Sequence, residues 1–203
     1  MSDQQFKILE QQTLYQGFFR LERYTLQHTL FNGGWSQPLQ RELFRRGSCV
    51  AVLLYDPDRD QVVLIEQFRV GALLRPQQAW LLEIVAGAVE EDETPEQVAY
   101  REALEEAGCE IQELIEIQQF YTTPGGASEW LTLFCGKIDS RGVGGIHGLA
   151  EEDEDIRVMA LPFAEVYQLL NSGQINSAIP IIAIQWLFIH RETIRTRWCS
   201  AAS

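Results

Sequence analysis

Much that would direct this chain toward a specialised class is missing from it. It has only four cysteines, Cys49, Cys109, Cys135 and Cys199, and no two stand in a C-x-x-C spacing. Nothing in their arrangement marks a metal or redox pair. Three of them lie in apolar contexts, which predicts buried free thiols and a reducing, cytoplasmic compartment. Basic residues are also scarce, with 16 Lys and Arg against 29 Asp and Glu, for a net charge of −13. That balance argues against non-specific nucleic-acid binding and against an anionic membrane surface. The longest apolar run, from Ala178 to Ile189, is interrupted by Pro180 and Gln185 and is too short to span a bilayer. The start of the chain, Met1 to Gln5, is polar and predicts no signal peptide. There is no internal repeat and no low-complexity linker.

What remains is an ordinary globular composition. The 203 residues, 46% of them hydrophobic, suffice for one sizeable domain or for a domain with a smaller one appended. The acid is not spread evenly. Much of it falls at 90–106 and 151–155, which a uniformly solubilising surface does not predict.

Strand-like runs dominate the order of elements. Lys7 to Gln12, Thr13 to Arg20 and Leu21 to Leu30 form a small β segment that turns at Asn32-Gly33-Gly34 and returns over Ser36 to Arg45. Cys49 to Tyr55 and Gln61 to Gln67 are apolar, β-branched runs joined by a hairpin at Asp56 to Asp60. Residues 71–79 read as a loop, and Trp80 to Val85 as one strand running into a glycine turn at Gly87. Thr94 suits a helix N-cap, Pro95 its first position and Gly108 its end. Ile111 to Tyr121 and Glu129 to Ile138 are strands around a Thr122 to Ser128 loop. Gly142 to Asp155 is a glycine-rich then acidic loop, and Ile156 to Ala160 is a strand. Helices follow at Phe163 to Asn171 and Ser177 to Trp198. This order is α+β, without the regular alternation of a doubly wound sheet.

The most informative stretch runs from Gly87 to Cys109. Its helix places Glu102, Glu105, Glu106 and Arg101 within two turns. Carboxylates three and four apart share a helix face and repel. Either the face is simply solvated or a hard divalent cation neutralises it. Gly87, Glu93, Arg101, Glu102, Glu105, Glu106 and Gly108 fall in the register G-x5-E-x7-R-E-U-x-E-E-x-G-U, which resembles the Nudix box. Ala103 and Cys109 are smaller than the aliphatics usual at the U positions.

The likeness extends from about residue 12 to the final helix. The segments Leu14 to Phe19, Thr123 to Glu129 and Gly145 to Glu152, with Asp153 to Arg157, resemble those of bacterial ADP-ribose pyrophosphatases. The resemblance implies a Nudix α/β/α sandwich with a mixed sheet over residues 48–203. By the same resemblance, an N-terminal antiparallel β segment, residues 1–47, is expected to precede it and to be exchanged across a homodimer. It further implies hydrolysis of ADP-ribose to AMP and ribose 5-phosphate, with Mg2+ or another divalent ion such as Mn2+.

Metal ligands carried over by the resemblance are Glu102, Glu106, Glu154 and the backbone carbonyl of Ala86. Glu105 serves the same cluster, and Arg101 orients carboxylates. Glu152 matches the loop glutamate that activates water, although spacing alone does not choose among Glu151 to Asp155. His147 reads as a structural or loop-orienting residue before it reads as a base. Arg41, Glu42, Arg46 and Arg69 match ligand-contacting positions, and guanidinium suits bidentate phosphate contacts. Phe18 and Phe19 match positions that reach across the dimer to the adenine end. Ala88, Thr123, Pro124, Gly125 and Glu129 match contacts to the terminal ribose and nearby phosphate. Trp130 and Leu131 depart from the polar residues expected there. Two other functions stay open: a Nudix hydrolase of another nucleotide sugar such as GDP-mannose, and a module that binds ADP-ribose without cleaving it.

Overall fold

A computed structural model of the chain describes residues 4–75, 78–149, 151 and 153–199. It divides into two compact units. One comprises Met1–Ser48 with Phe120–Trp130, and the other Cys49–Gln119 with Leu131–Ser203.

The first unit is built on a three-stranded antiparallel sheet of β1 (Phe6–Gln16), β2 (Arg20–His28) and β3 (Leu39–Arg45), in that order. The run expected to continue from Thr13 to Arg20 instead breaks at 17–19. There the Gly17 N–H bonds to the Phe19 carbonyl, and a Cβ on Gly17 would lie 2.4 Å from the Tyr15 hydroxyl. The β2–β3 connection turns through Gly33 and Gly34, at φ of 87° and 80°, a region open to glycine and strained for other residues. β3 begins at Leu39 rather than Ser36, since Pro38 has no N–H for a ladder. On the middle strand Glu22 is only 1% exposed. It accepts hydrogen bonds from Tyr24 Oη at 2.7 Å and Gln11 Nε2 at 3.0 Å, and pairs with Arg20 at 3.1 Å. Tyr24 contributes most to holding its carboxyl below the ordinary value, outweighing the opposing effect of burial.

The second unit carries the larger sheet. Its strands are β4 (Ser48–Asp56), β5 (Gln61–Phe68), β6 (Trp80–Glu83), β7 (Val85–Ala88), β8 (Glu113–Tyr121), β9 (Trp130–Lys137), β10 (Gly144–His147) and β11 (Ile156–Pro162). The main path is β10-β11-β5-β4-β9-β8. Three helices accompany it: α1 (Pro95–Ala107), α2 (Phe163–Asn171) and α3 (Ala178–Cys199). The result is the expected α+β class with a mixed sheet. β4 is buried along nearly its whole length. Val50, Val52 and Leu54 join the core against Val98, Ala99, Ala103 and Ala107 of α1, while Ala51, Leu53 and Tyr55 point the other way with period two. A strand covered on both faces reads as a continuous apolar run. Each Leu or Ile fully buried here is worth about 1.5–3 kcal/mol.

Three expectations are corrected here. The single strand at Trp80 to Val85 is two short strands, because β4 and β5 pair only from Leu54↔Val63 to Asp56↔Gln61 and then diverge. β6 continues along β5, whereas β7 continues along β4. Gly87 therefore lies in β7 opposite Val50 rather than in a turn. The glycine-rich loop also contains a strand, β10, which pairs with β11. No disulfide joins the four cysteines, and Cys109 and Cys135 are buried as expected, but Cys199 is exposed and Cys49 only partly buried. No helix among the described residues is long and apolar enough to cross a membrane.

Candidate active site

Local sequence fixes where α1 starts and stops. Thr94 and Gln97 form a reciprocal capping box, with Thr94 Oγ1 accepting the Gln97 N–H at 3.3 Å and Gln97 Oε1 accepting the Thr94 N–H at 2.8 Å. Gly108 ends the helix at φ 61°. Small buried residues, Ala99, Ala103 and Ala107, let α1 sit close to the sheet. The smaller residues noted at the box positions, Ala103 and Cys109, are both in this core. Burial pushes the Cys109 thiol up to about 11.

The acidic face of α1 is held from two sides. The Arg101 guanidinium binds Glu93 through Nε and Nη2, each at 2.9 Å, and Glu102 and Glu105 through Nη1 at 2.7 and 3.0 Å. Hydrogen bonds from Arg101 hold the Glu93 carboxyl below its usual value, while Glu93 foremost raises Arg101. Glu106 turns the other way, is 3% exposed, and accepts the Ala86 N–H at 3.0 Å. Burial chiefly, then the negative charges of Glu102 and Glu154, push its carboxyl up to about 8 despite that bond. Glu102 is raised by burial and by Glu105 and Glu154, against the pull of Arg101.

Gly87 is required at this point by space. A Cβ there would lie 1.7 Å from Glu102 Oε1 and 2.1 Å from its carboxyl carbon. The tertiary contact thus explains a glycine that the sequence suggested was a turn.

Arg69 pairs with Glu83 at 2.6 Å, and its charge partly offsets that of Glu106. Glu83 also accepts a bond from the Ser177 hydroxyl at 3.3 Å. A lone acid in an apolar strand gave no signal of this role. Glu154 accepts the Leu149 N–H at 3.3 Å and returns its own N–H to the Leu149 carbonyl at 3.2 Å. Glu152 lies outside the described residues. Among the described residues no group of three or more acidic, histidine or cysteine side chains is arranged to hold an ion as it stands. Glu102 and Glu105 are taken up by Arg101, and Glu106 by the Ala86 amide.

The first unit gathers a second set. Arg46 Nε pairs with Glu129 at 2.8 Å and lies over the Phe19 ring at 4.9 Å. Phe19 packs against Phe44 and Phe18, and Phe18 is 96% exposed. Glu129 also accepts the Thr122 hydroxyl at 2.8 Å, and Ser128 exchanges bonds with the Arg46 backbone. The Thr123 carbonyl receives the N–H groups of Gly126 and Ala127, closing a turn that includes Pro124 and Gly125. Arg41 and Glu42 do not join this set. Arg41 stands opposite Tyr24, four residues along β3 from Arg45, or roughly 13 Å of extended chain. Arg41 donates to the Gln40 carbonyl, and Glu42 pairs with Arg23 at 3.2 Å. Thr122, Ser128 and Phe44 were not anticipated; the partners of Ser128 and Phe44 are distant in sequence, and that of Thr122 lies across the loop.

Residues 45–179 match the NUDIX domain family. The chain belongs to the Nudix family. It is 44% identical over 192 residues to the ADP-ribose pyrophosphatase of Escherichia coli (strain K12), covering 95% of this chain and 92% of that one. It is also 44% identical over 200 residues to the ADP-ribose pyrophosphatase of Haemophilus influenzae, covering 97% and 92%. Identity to the GDP-mannose pyrophosphatase of Escherichia coli (strain SMS-3-5 / SECEC) is 32% over 186 residues, covering 91% and 95%. A crystal structure of an ADP compounds hydrolase superposes with a TM-score of 0.69 at 20% identity, covering 95% of both chains, a likeness of fold alone.

Within this Nudix chain the box acids do not line the hollow at the far end of α1. That hollow, about 410 Å³, is lined by Gly108, Glu110, Asp139, Arg141 and His147 among others.

Proposed function

We propose that this chain hydrolyses ADP-ribose, adding one water across the bridging P–O–P linkage to release AMP and ribose 5-phosphate, with a divalent cation, Mg2+, held at α1. The observation that carries this is the Glu106 carboxylate, buried and pushed up to about 8 with Glu102 and Glu154 adding to the shift. A buried acid under pressure from two others is stabilised by a hard cation, and oxygen donors are what Mg2+ takes. The residues fit that group: Glu102, Glu106 and Glu154 with the Ala86 carbonyl would hold it, and Mn2+ suits the same donors. Gly87 supports the fit by leaving the Glu102 carboxylate space that a Cβ would take. When bound, the cation polarises phosphoryl oxygens and offsets charge as the linkage breaks.

The chain's own residues supply the remainder. Arg101 orients Glu102 and Glu105. Glu152 is assigned the proton from the attacking water. Replacing it by Gln is expected to lower the rate by about 10²–10⁴-fold with ligand affinity retained. A fully active Glu152→Gln beside a dead Glu154→Gln would move that role to Glu154. Arg41, Arg46 and Arg69 are assigned to phosphate, Phe18 and Phe19 to adenine. Glu42, Ala88, Thr123, Pro124, Gly125 and Glu129 complete the contact set. A homodimer exchanging residues 1–47, with 48–203 as the Nudix domain, is supported by β1, which exposes Phe6, Ile8, Leu9 and Tyr15. A monomeric mass in dilute solution would remove it.

The deciding experiment is a substrate panel with Mg2+. ADP-ribose is expected to be turned over fastest, since relatives so named stand at 44% identity against 32% for the GDP-mannose enzymes. Faster turnover of GDP-mannose would transfer the substrate, and no turnover with any divalent ion would sink the proposal.

A further inference from the structure

His147 is the last residue of β10, which packs against α1, and it is followed directly by the loop that carries Glu154. Its ring occupies space that only a glycine leaves free. A Cβ on Gly108 would approach His147 Cε1 to 2.8 Å and Nδ1 to 3.4 Å. The same ring bonds through Nε2 to the Gly144 carbonyl at 3.2 Å, so the nitrogen that meets the carbonyl carries the proton. The next residue, Gly148, has φ 101°, and a Cβ there would lie 2.7 Å from Glu154 Cβ and 2.9 Å from its carbonyl oxygen. Immediately beyond, Leu149 and Glu154 exchange two hydrogen bonds, one from each backbone N–H. Three consecutive residues thus make a chain of contacts from the end of α1 to the Glu154 side chain.

We propose that His147 is a positioning residue whose imidazole, seated on Gly108 and bonded to the Gly144 carbonyl, anchors the Leu149–Glu154 clasp to the C-terminal end of α1. The proposal rests on the hydrolase reading above for its kinetic consequence, although its structural half does not. Glu154 exerts its negative charge on both Glu102 and Glu106, so an acid that strays from the clasp loses its relation to the α1 face. The role assigned to His147 is one of position, not of acid or base. It fixes the height of the loop relative to the helix, using the cap glycine of one element as the seat for a ring from another. This gives the glycine at 108 two duties: the left-handed cap, and the open face under the imidazole.

The test uses the full-length protein and three variants. Hydrogen exchange of the Leu149 and Glu154 amides is measured without metal or substrate, followed by kcat and KM for ADP-ribose with Mg2+. His147→Ala is expected to speed exchange at both amides and to lower kcat by about 10–100-fold with KM little changed, the pattern of a lost supporting contact. His147→Gln, whose amide nitrogen can stand near Nε2, should restore protection and most of kcat, whereas His147→Asn should not. If His147→Ala does not fold, Gly108→Asn carries the test, because Asn tolerates the left-handed cap yet brings the Cβ against the ring. It should disturb the same two amides. Unchanged protection in His147→Ala, or a His147→Gln no better than Ala, overturns the proposal. If the parent enzyme does not cleave ADP-ribose while the exchange results hold, the positioning role stands and the substrate assignment falls.

Discussion

Arg101 and Arg46 are both guanidinium groups held by glutamate, in opposite circumstances. Arg101 serves three acids, Glu93, Glu102 and Glu105, all within eight residues on the same stretch of chain. Arg46 has one glutamate, Glu129, lies 43% exposed, and owes its position to a loop whose Ser128 is 82 residues away. The Arg101 cluster is therefore local, built from α1 and the turn that leads into it. The Arg46 cluster exists only when distant segments meet. Losing a member of the first leaves partly buried acids uncompensated, while losing a member of the second removes a more solvent-screened contact.

The largest break should come from Glu106→Gln. Activity is expected to fall on the order of 10³-fold or more, read as kcat/KM for ADP-ribose. Stability of the metal-free protein should move the other way. The folded-state value near 8 exceeds the ordinary 4.5, so the folded protein holds a proton that the unfolded chain releases in between. Stability from this group is full below about pH 4.5 and is lost as pH rises through about 8. Metal-free Glu106→Gln should therefore match the parent near pH 4.5 and exceed it above pH 8, on the order of 2–4 kcal/mol by denaturant melts. A variant that is less stable at both pH values would show that the acid is not under pressure.

Gly87→Ala comes next. Its Cβ must displace the Glu102 carboxyl, and a shift of about 1 Å at a site of this kind costs about 10²-fold in rate. Far-ultraviolet circular dichroism should be unchanged, since Gly87 has no left-handed backbone to strain. Arg46→Ala is smaller, about tenfold in kcat/KM and expressed mainly in KM, if the exposed cation we assign to phosphate serves the ligand. A kcat effect as large as that of Gly87→Ala would erase the distinction between the two arginines. The smallest effect belongs to Thr94→Ala, which removes the α1 cap at a cost of about 1 kcal/mol and leaves kcat unchanged.

The box and its helix were legible because their determinants are local. Thr94, Pro95 and Gly108 announce the ends of α1, and a period of three to four puts the acids on one face. The N-terminal sheet was legible in outline, though the strand expected through Arg20 ignored the Gly17 break and the one from Ser36 ignored Pro38. Misreading Gly87 as a turn had another cause. Glycine signals either backbone freedom or empty space, and only the neighbouring Glu102 side chain distinguishes them. β10 was missed because Gly144 and Gly145 have loop composition, whereas its strand state is set by pairing with β11. Glu83 had no signal at all, since its value lies in Arg69 and Ser177.

By itself, then, the order of residues determined α1, its caps, its acidic face and membership of a family recognised by fixed spacing. These rest on interactions within two helical turns, which do not wait for the rest of the chain. Tertiary structure decided the fork of β4 and β5 that brings Ala86 to Glu106. It also decided the space at Gly87 and the seat of His147 on Gly108. Each of those depends on two segments approaching within van der Waals distance, a fact that no spacing along one segment contains.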